Sequence, residues 1–139
     1  MKSERTWNVY VIQHSHTDIG YTERQDKIIR YHYDFIRQAI DILDEIHGNG
    51  EAPEGFVWQC ENYWQVENFY EMADEAYRKK FEYYVSTGEI GLSGNYLNMT
   101  ELVSGPALDH ALEKMEAYGK SIGHPITAGM CADINGMAW

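Results

Sequence analysis

The chain has 139 residues, enough for one packed domain but short of the roughly 200 or more of a complete α/β barrel. Its composition, 44% hydrophobic and 24% charged, is that of a globular protein, with no low-complexity stretch and no apolar run near the ~20 residues of a membrane span. A net charge of −11 argues against nucleic acid as a partner and favours neutral or cationic ones.

The polar start, Met1-Lys2-Ser3-Glu4-Arg5, leads straight toward a strand and does not read as a signal peptide. Residues 7–13 are aromatic and β-branched and predict the first strand. Thr22, with Gln25 three positions on, suggests a capping box opening a helix. That helix has an apolar face of Ile28, Phe35, Ile36, Ala39, Leu43 and Ile46, and ends at Gly48-Asn49-Gly50. Residues 56–60 predict a second short strand. One long helix follows, with a stripe of Val66, Phe69, Tyr70, Ala73, Tyr77, Phe81 and Tyr84, closed by Gly88. Residues 89–92 predict a third strand. Gly105-Pro106 opens another helix, whose core face holds Leu108, Ala111, Leu112, Met115, Tyr118 and Ile122. Residues 126–131 predict a fourth, buried strand.

Strand and helix in alternation predict an α/β fold with parallel β-strands. The sequence stops just past the fourth predicted strand, where a further helix is expected, so it reads as one partial domain. Cys60 and Cys131 are too few for a disulfide scaffold and read as free thiols of a cytoplasmic protein. The sequon Asn98-Met99-Thr100 is read as chance.

Parallel α/β folds gather their chemistry at the carboxyl ends of the strands. His14-Ser15-His16-Thr17-Asp18 follows the first strand and Glu61-Asn62-Tyr63-Trp64 the second. Ser93-Gly94-Asn95-Tyr96-Leu97-Asn98 follows the third, and Asp133 and Asn135 follow the fourth. Alternation along an extended chain points His14, His16 and Asp18 to one side. Imidazole nitrogen with carboxylate oxygen is a natural donor set for zinc. Asp133 reads equally as a helix N-cap or as a further site residue. His32, His47, His110 and His124 lack matching partners and read as structural or exposed. Gly88, Gly91 and Gly94 read as turn glycines.

As a set, these blocks resemble the glycoside hydrolases of family 38, the α-mannosidase type. His14-Ser15-His16-Thr17-Asp18-Ile19-Gly20-Tyr21 resembles that family's His-x-His-x-Asp-x-Gly-Trp block, with Tyr21 in place of tryptophan. Trp58-Gln59-Cys60-Glu61-Asn62-Tyr63 resembles its second-strand segment, and Gly88-Glu89-Ile90-Gly91-Leu92-Ser93-Gly94-Asn95-Tyr96 its third. Ala132-Asp133-Ile134-Asn135-Gly136 resembles the nucleophile block, with Ile134-Asn135 in place of Pro-Phe. The resemblance implies the N-terminal portion of a seven-stranded β/α barrel, incomplete here. It also implies a retaining, zinc-dependent hydrolase acting on carbohydrate, with one carboxylate as nucleophile and another carboxyl as acid and base. His16 and Asp18 then match zinc ligands, and Asp133 matches the catalytic nucleophile, also a ligand. His14 matches a supporting neighbour, and Tyr21, Glu61, Trp64, Asn95 and Tyr96 are expected to support or line the sugar site. The acid/base and the last ligand would lie later in the family's sequence, so the chain alone is expected to be inactive.

Two other readings remain open on the residues. An amidohydrolase-type enzyme would use His14 and His16 together on its metal. A non-catalytic metal- or glycan-binding piece would do neither chemistry. An incomplete barrel leaves an unpaired strand edge, which predicts self-association.

Overall fold

A computed structural model describes residues 5–50, 55–134 and 136. In chain order these form β1 (Gln13–His14), α1 (Gln25–Gly48), β2 (Trp58–Gln59), α2 (Tyr63–Met72), α3 (Glu75–Thr87), β3 (Ile90–Gly91) and α4 (Gly105–Ser121). The strands form one parallel sheet in the order β1-β2-β3. Gln13 pairs with Trp58 and Trp58 with Ile90, while His14 pairs with Gln59 and Gln59 with Gly91. The fold is therefore α/β, with parallel strands separated by helices, as the alternation predicts.

The core lies between the sheet and the first three helices. Ile28, Ile36, Ala39, Ile40 and Leu43 form the buried stripe of α1. Of these, Ile36, Ile40 and Leu43 share one cluster with Val66 and Phe69 of α2, Phe81, Tyr84 and Val85 of α3, and Cys60 and Ile90 beside the sheet. Burying each large apolar side chain stabilises the fold by about 1.5–3 kcal/mol. Phe69 is the central contact, with ring centroids 5.1 Å from Phe81 and 5.9 Å from Tyr33. Two tyrosine hydroxyls then fasten α3 to α1: Tyr77 donates to Asp41 at 2.8 Å and Tyr84 to Asp44 at 2.7 Å.

Four expectations are corrected. The first predicted strand spans residues 7–13, yet only Gln13 and His14 enter the ladder. Trp7, Val9, Tyr10 and Val11 are 70–84% exposed, and among the described residues β1 is an edge strand with a neighbour on one side. The first helix starts two residues later than expected: its N-cap is Arg24, without a side-chain cap. The Thr22 N–H is instead engaged by the Asp18 carbonyl in a turn, at 3.3 Å.

The single long second helix is two helices. Ala73 is extended (ψ 143°), and the Asp74 carboxylate caps a new helix by accepting from Tyr77 N–H at 2.9 Å. The apolar stripe continues across this break because Phe69, Tyr70 and Phe81 still touch, so periodicity alone could not reveal it. Gly88 does close α3, at φ 82°, a left-handed conformation that glycine adopts without strain. Residues 126–131, the fourth predicted strand, lie beside the residues after β3 without forming a ladder. They are held by Gly94 N–H to the Ala128 carbonyl (2.7 Å) and Met130 N–H to Ser93 Oγ (3.0 Å). A side-chain hydroxyl takes the place of a ladder carbonyl there. On α4, Leu112 is exposed and Leu108 half-buried, and the buried residues are Ala111, Met115 and Gly119.

Phe69→Ala removes the centre of this core and is expected to cost about 3–5 kcal/mol in urea unfolding. Asp74→Ala removes only a helix cap and should cost ~1 kcal/mol. A Phe69→Ala midpoint as close to wild type as that of Asp74→Ala would contradict this packing.

Candidate metal centre

The carboxyl ends of β1, β2 and β3 and the segment ending at Asp133 surround a recess of about 210 Å³. Its lining includes His16, Asp18, Glu61, Asn98 and Asp133. His16 Nε2 lies 3.7 Å from an Asp18 oxygen and 3.6 Å from an Asp133 oxygen. One donor atom from each of these three residues falls within 4.8 Å of the others. Asp133 reaches this place with a left-handed backbone, φ 52°, uncommon for a residue with a side chain and tolerated best by Asp and Asn.

Behind the cluster stands a buried carboxylate. Glu61 is 1% exposed, and its Oε1 lies 2.6 Å from His16 Nδ1. The same oxygen accepts from Asn98 Nδ2 at 2.9 Å. Asn98 also reaches forward, its Oδ1 accepting from Ala132 N–H at 3.4 Å, one residue before Asp133. The Glu61 backbone N–H donates to Gln65 Oε1, and Gln65 Nε2 donates to the Ser15 carbonyl, one residue before His16. The hydrogen bond to Glu61 raises the His16 pKa above its ordinary value against the effect of burial, and the charges of Glu61, Asp18 and Asp133 raise it further.

This donor set fits a metal ion of the zinc type. It offers one imidazole nitrogen and two carboxylates on one side, with the other imidazole nitrogen engaged by a carboxylate, as metal-bound histidines usually are. His16, Asp18 and Asp133 would hold the ion, and three protein donors leave room for a further ligand.

The other predicted site residues are dispersed. His14 lines a different recess, with Tyr10, Ile12, Gln59 and Met130, and is not in the three-residue cluster. The expected alternation fails because the strand ends at His14 and the chain then turns toward Glu61. Tyr21 is 90% exposed, beside the positive-φ Gly20. Trp64 is buried, its ring edge-on to His32 at 5.9 Å. Asn95 donates to the Met130 carbonyl and to Cys131 Sγ, anchoring the final segment. Tyr96 donates to Glu67, away from the recess. Asn135 lies outside the described residues.

Sequence reasoning did not single out Asn98 or Gln65 as site residues. Asn98 ends the third strand's trailing segment, and no local pattern marks it as a partner of Glu61. Its amide nitrogen is already committed to Glu61.

His32 does read as structural: it is 2% exposed, behind the site, with Nδ1 3.5 Å from Ser15 Oγ. Burial pushes its pKa down to about 4, so the folded protein holds it neutral while the unfolded chain takes up a proton near 6.5. Its contribution is complete above pH 6.5 and is lost as pH falls toward 4, about 3 kcal/mol at most. His32→Phe should flatten the fall of the unfolding temperature across that window. An unchanged slope in the variant would refute this origin.

No curated protein and no solved structure matches the chain. The family model described as the glycosyl hydrolases family 38 N-terminal domain matches residues 6–120. That stretch includes His16, Asp18, Glu61 and Asn98 and stops before Asp133. Because it spans most of the sequence, the chain belongs to glycosyl hydrolase family 38, as its N-terminal domain.

Proposed function

We propose that this domain carries the zinc-binding side and the nucleophile of a retaining glycosidase of the α-mannosidase type, acting on terminal glycosidic bonds of carbohydrates. The observation that supports this most is the convergence of His16, Asp18 and Asp133 in front of the buried Glu61. On this reading β1, β2 and β3 are the first strands of a seven-stranded β/α barrel, and the protein works in the cytoplasm.

When bound, zinc supplies a Lewis acid that grips sugar hydroxyls and favours a distorted ring near the oxocarbenium-like transition state. The chain's own part is the nucleophile. The Asp133 side chain is 78% exposed at the recess, open to a sugar. Its carboxylate forms a bond to the anomeric carbon as the bond to the leaving oxygen breaks, and that oxygen takes a proton from a second carboxyl. Water then attacks the same carbon, gives its proton to that carboxylate, and frees Asp133. The other carboxylates lining the recess are spoken for: Asp18 faces His16, and Glu61 is buried against His16 and Asn98. Neither is free to be the acid and base.

Zinc affinity measured by competition with a chromophoric chelator tests the assignment. His16→Ala, Asp18→Ala and Asp133→Ala should each weaken binding at least ~10-fold, and His14→Ala should not. Loss of zinc with His14→Ala and its retention with Asp18→Ala would favour the amidohydrolase reading. The zinc-loaded chain alone should not hydrolyse an aryl α-mannoside. Turnover abolished by Asp133→Ala would show that the acid and base are present after all.

We also propose that the chain associates with a second copy through the exposed apolar residues before β1. Trp7, Val9, Tyr10 and Val11 adjoin a sheet edge with one free side. The net charge of −11 opposes this association, so it should strengthen with salt. Light scattering should show a dimer at high salt that a Trp7→Ser, Val9→Ser variant loses. A wild-type monomer at every salt concentration would end the proposal.

A further inference from the structure

A buried glutamate and a half-buried asparagine join the two chain segments that carry the cluster. Glu61 Oε1 receives two contacts, one from His16 Nδ1 at 2.6 Å and one from Asn98 Nδ2 at 2.9 Å. The amide nitrogen of Asn98 can only donate, so that oxygen is an acceptor toward it. An ionised carboxylate is an acceptor everywhere, and its partner on His16 must then be an Nδ1–H. With the ring proton on Nδ1, the lone pair of Nε2 points toward Asp18 and Asp133, where a cation would sit. The other end of Asn98 holds the Ala132 N–H at 3.4 Å. Asn98 therefore touches both the group that fixes His16 and the backbone that presents Asp133.

We propose that Glu61 and Asn98 are positioning residues for the metal centre: Glu61 sets the Nδ1–H tautomer of His16, and Asn98 keeps Glu61 and the Asp133 segment in register with each other. Neither residue belongs to the three-residue donor cluster of His16, Asp18 and Asp133. The inference rests on the metal-site reading above, but its central claim concerns the metal-free protein. Burial gives the arrangement its force, since a carboxylate 1% exposed has no water to fall back on and must keep its two donors.

The test uses the full chain, metal-free, at a pH where His16 is neutral, with the ring nitrogens of His16 read by ¹⁵N NMR. Wild type should show the proton on Nδ1. Glu61→Gln keeps the volume but loses the charge, and should give a mixture of tautomers with zinc binding roughly 10–100-fold weaker. Asn98→Ala, at a position less buried than Glu61, should shift the tautomer and zinc affinity in the same direction by less. It also serves if Glu61→Gln does not fold. Folded variants that keep both the wild-type tautomer and wild-type zinc affinity would overturn the proposal. So would a weaker affinity with the tautomer unchanged, which is what mere structural loosening would give. If wild type bound no zinc but lost the Nδ1–H tautomer in Glu61→Gln, the positioning role would stand and the metal reading would fall.

Discussion

Taking a carboxylate out of water costs several kcal/mol unless donors replace the lost hydration. Glu61, almost completely buried at the end of β2, imposes that requirement on everything around it. His16, from the chain after β1, and Asn98, from the chain after β3, meet its carboxylate, while Gln65, in the first turn of α2, accepts from its backbone N–H. Three separate elements are thereby drawn to one point. The start of α2 is secured in the same way: Tyr63 and Trp64 N–H donate to the carbonyls of Asn95 and Tyr96, at 2.8 and 3.0 Å. Those N–H groups would otherwise lack partners at a helix N-terminus. The β3 trailing segment thus caps α2 and delivers Asn98 to Glu61.

The charge arrangement makes little sense for stability alone. Three carboxylates, from Asp18, Glu61 and Asp133, surround one imidazole, and no lysine or arginine is among the described residues lining the recess. Protonated His16 can balance only one of them, and the hydrogen bond to Glu61, with the charges of all three, raises its pKa. Asp133 also holds a left-handed backbone that costs of order 1 kcal/mol or more. Concentrated like charge together with local strain is typical of sites shaped for a ligand. A divalent cation is the species that would relieve the repulsion most directly.

The legible part of this protein was the part written in local pattern. Apolar periodicity gave α1, α4 and the stripe shared by α2 and α3, and short β-branched runs located β2 and β3. The break at Ala73 was hidden because the stripe continues through it, while the cap at Asp74 is only one residue long as a signal. Residues 7–12 look like a strand because both faces are apolar, but a ladder needs a neighbour, and β1 has one on only a single side. In the site, His16 and Asp18 were visible from their spacing. His14 has the same spacing but leaves the group, because alternation holds only as far as the strand does. The paths of Glu61 and Asn98 to His16, 45 and 82 positions from it, depend on the sheet order, which no local pattern encodes.

Asp133 joins the cluster by a route independent of the sheet. The segment before it lies along the β3 trailing residues through Gly94, Ser93, Asn95 and finally Asn98, each bonding one step closer to the recess. Gly94 permits the approach, since a Cβ there would stand 3.0 Å from the Ala128 carbonyl oxygen. These contacts are few and partly exposed, so the segment is held more weakly than the three-strand sheet. A cation held by Asp133 and His16 together would add its binding free energy to that docking, because binding and ordering are linked. The family match ends at residue 120, and it is this docked segment that turns two candidate ligands into three. Occupancy of the candidate metal site and order in the segment should therefore rise and fall together, with Asn98 as the side chain they share.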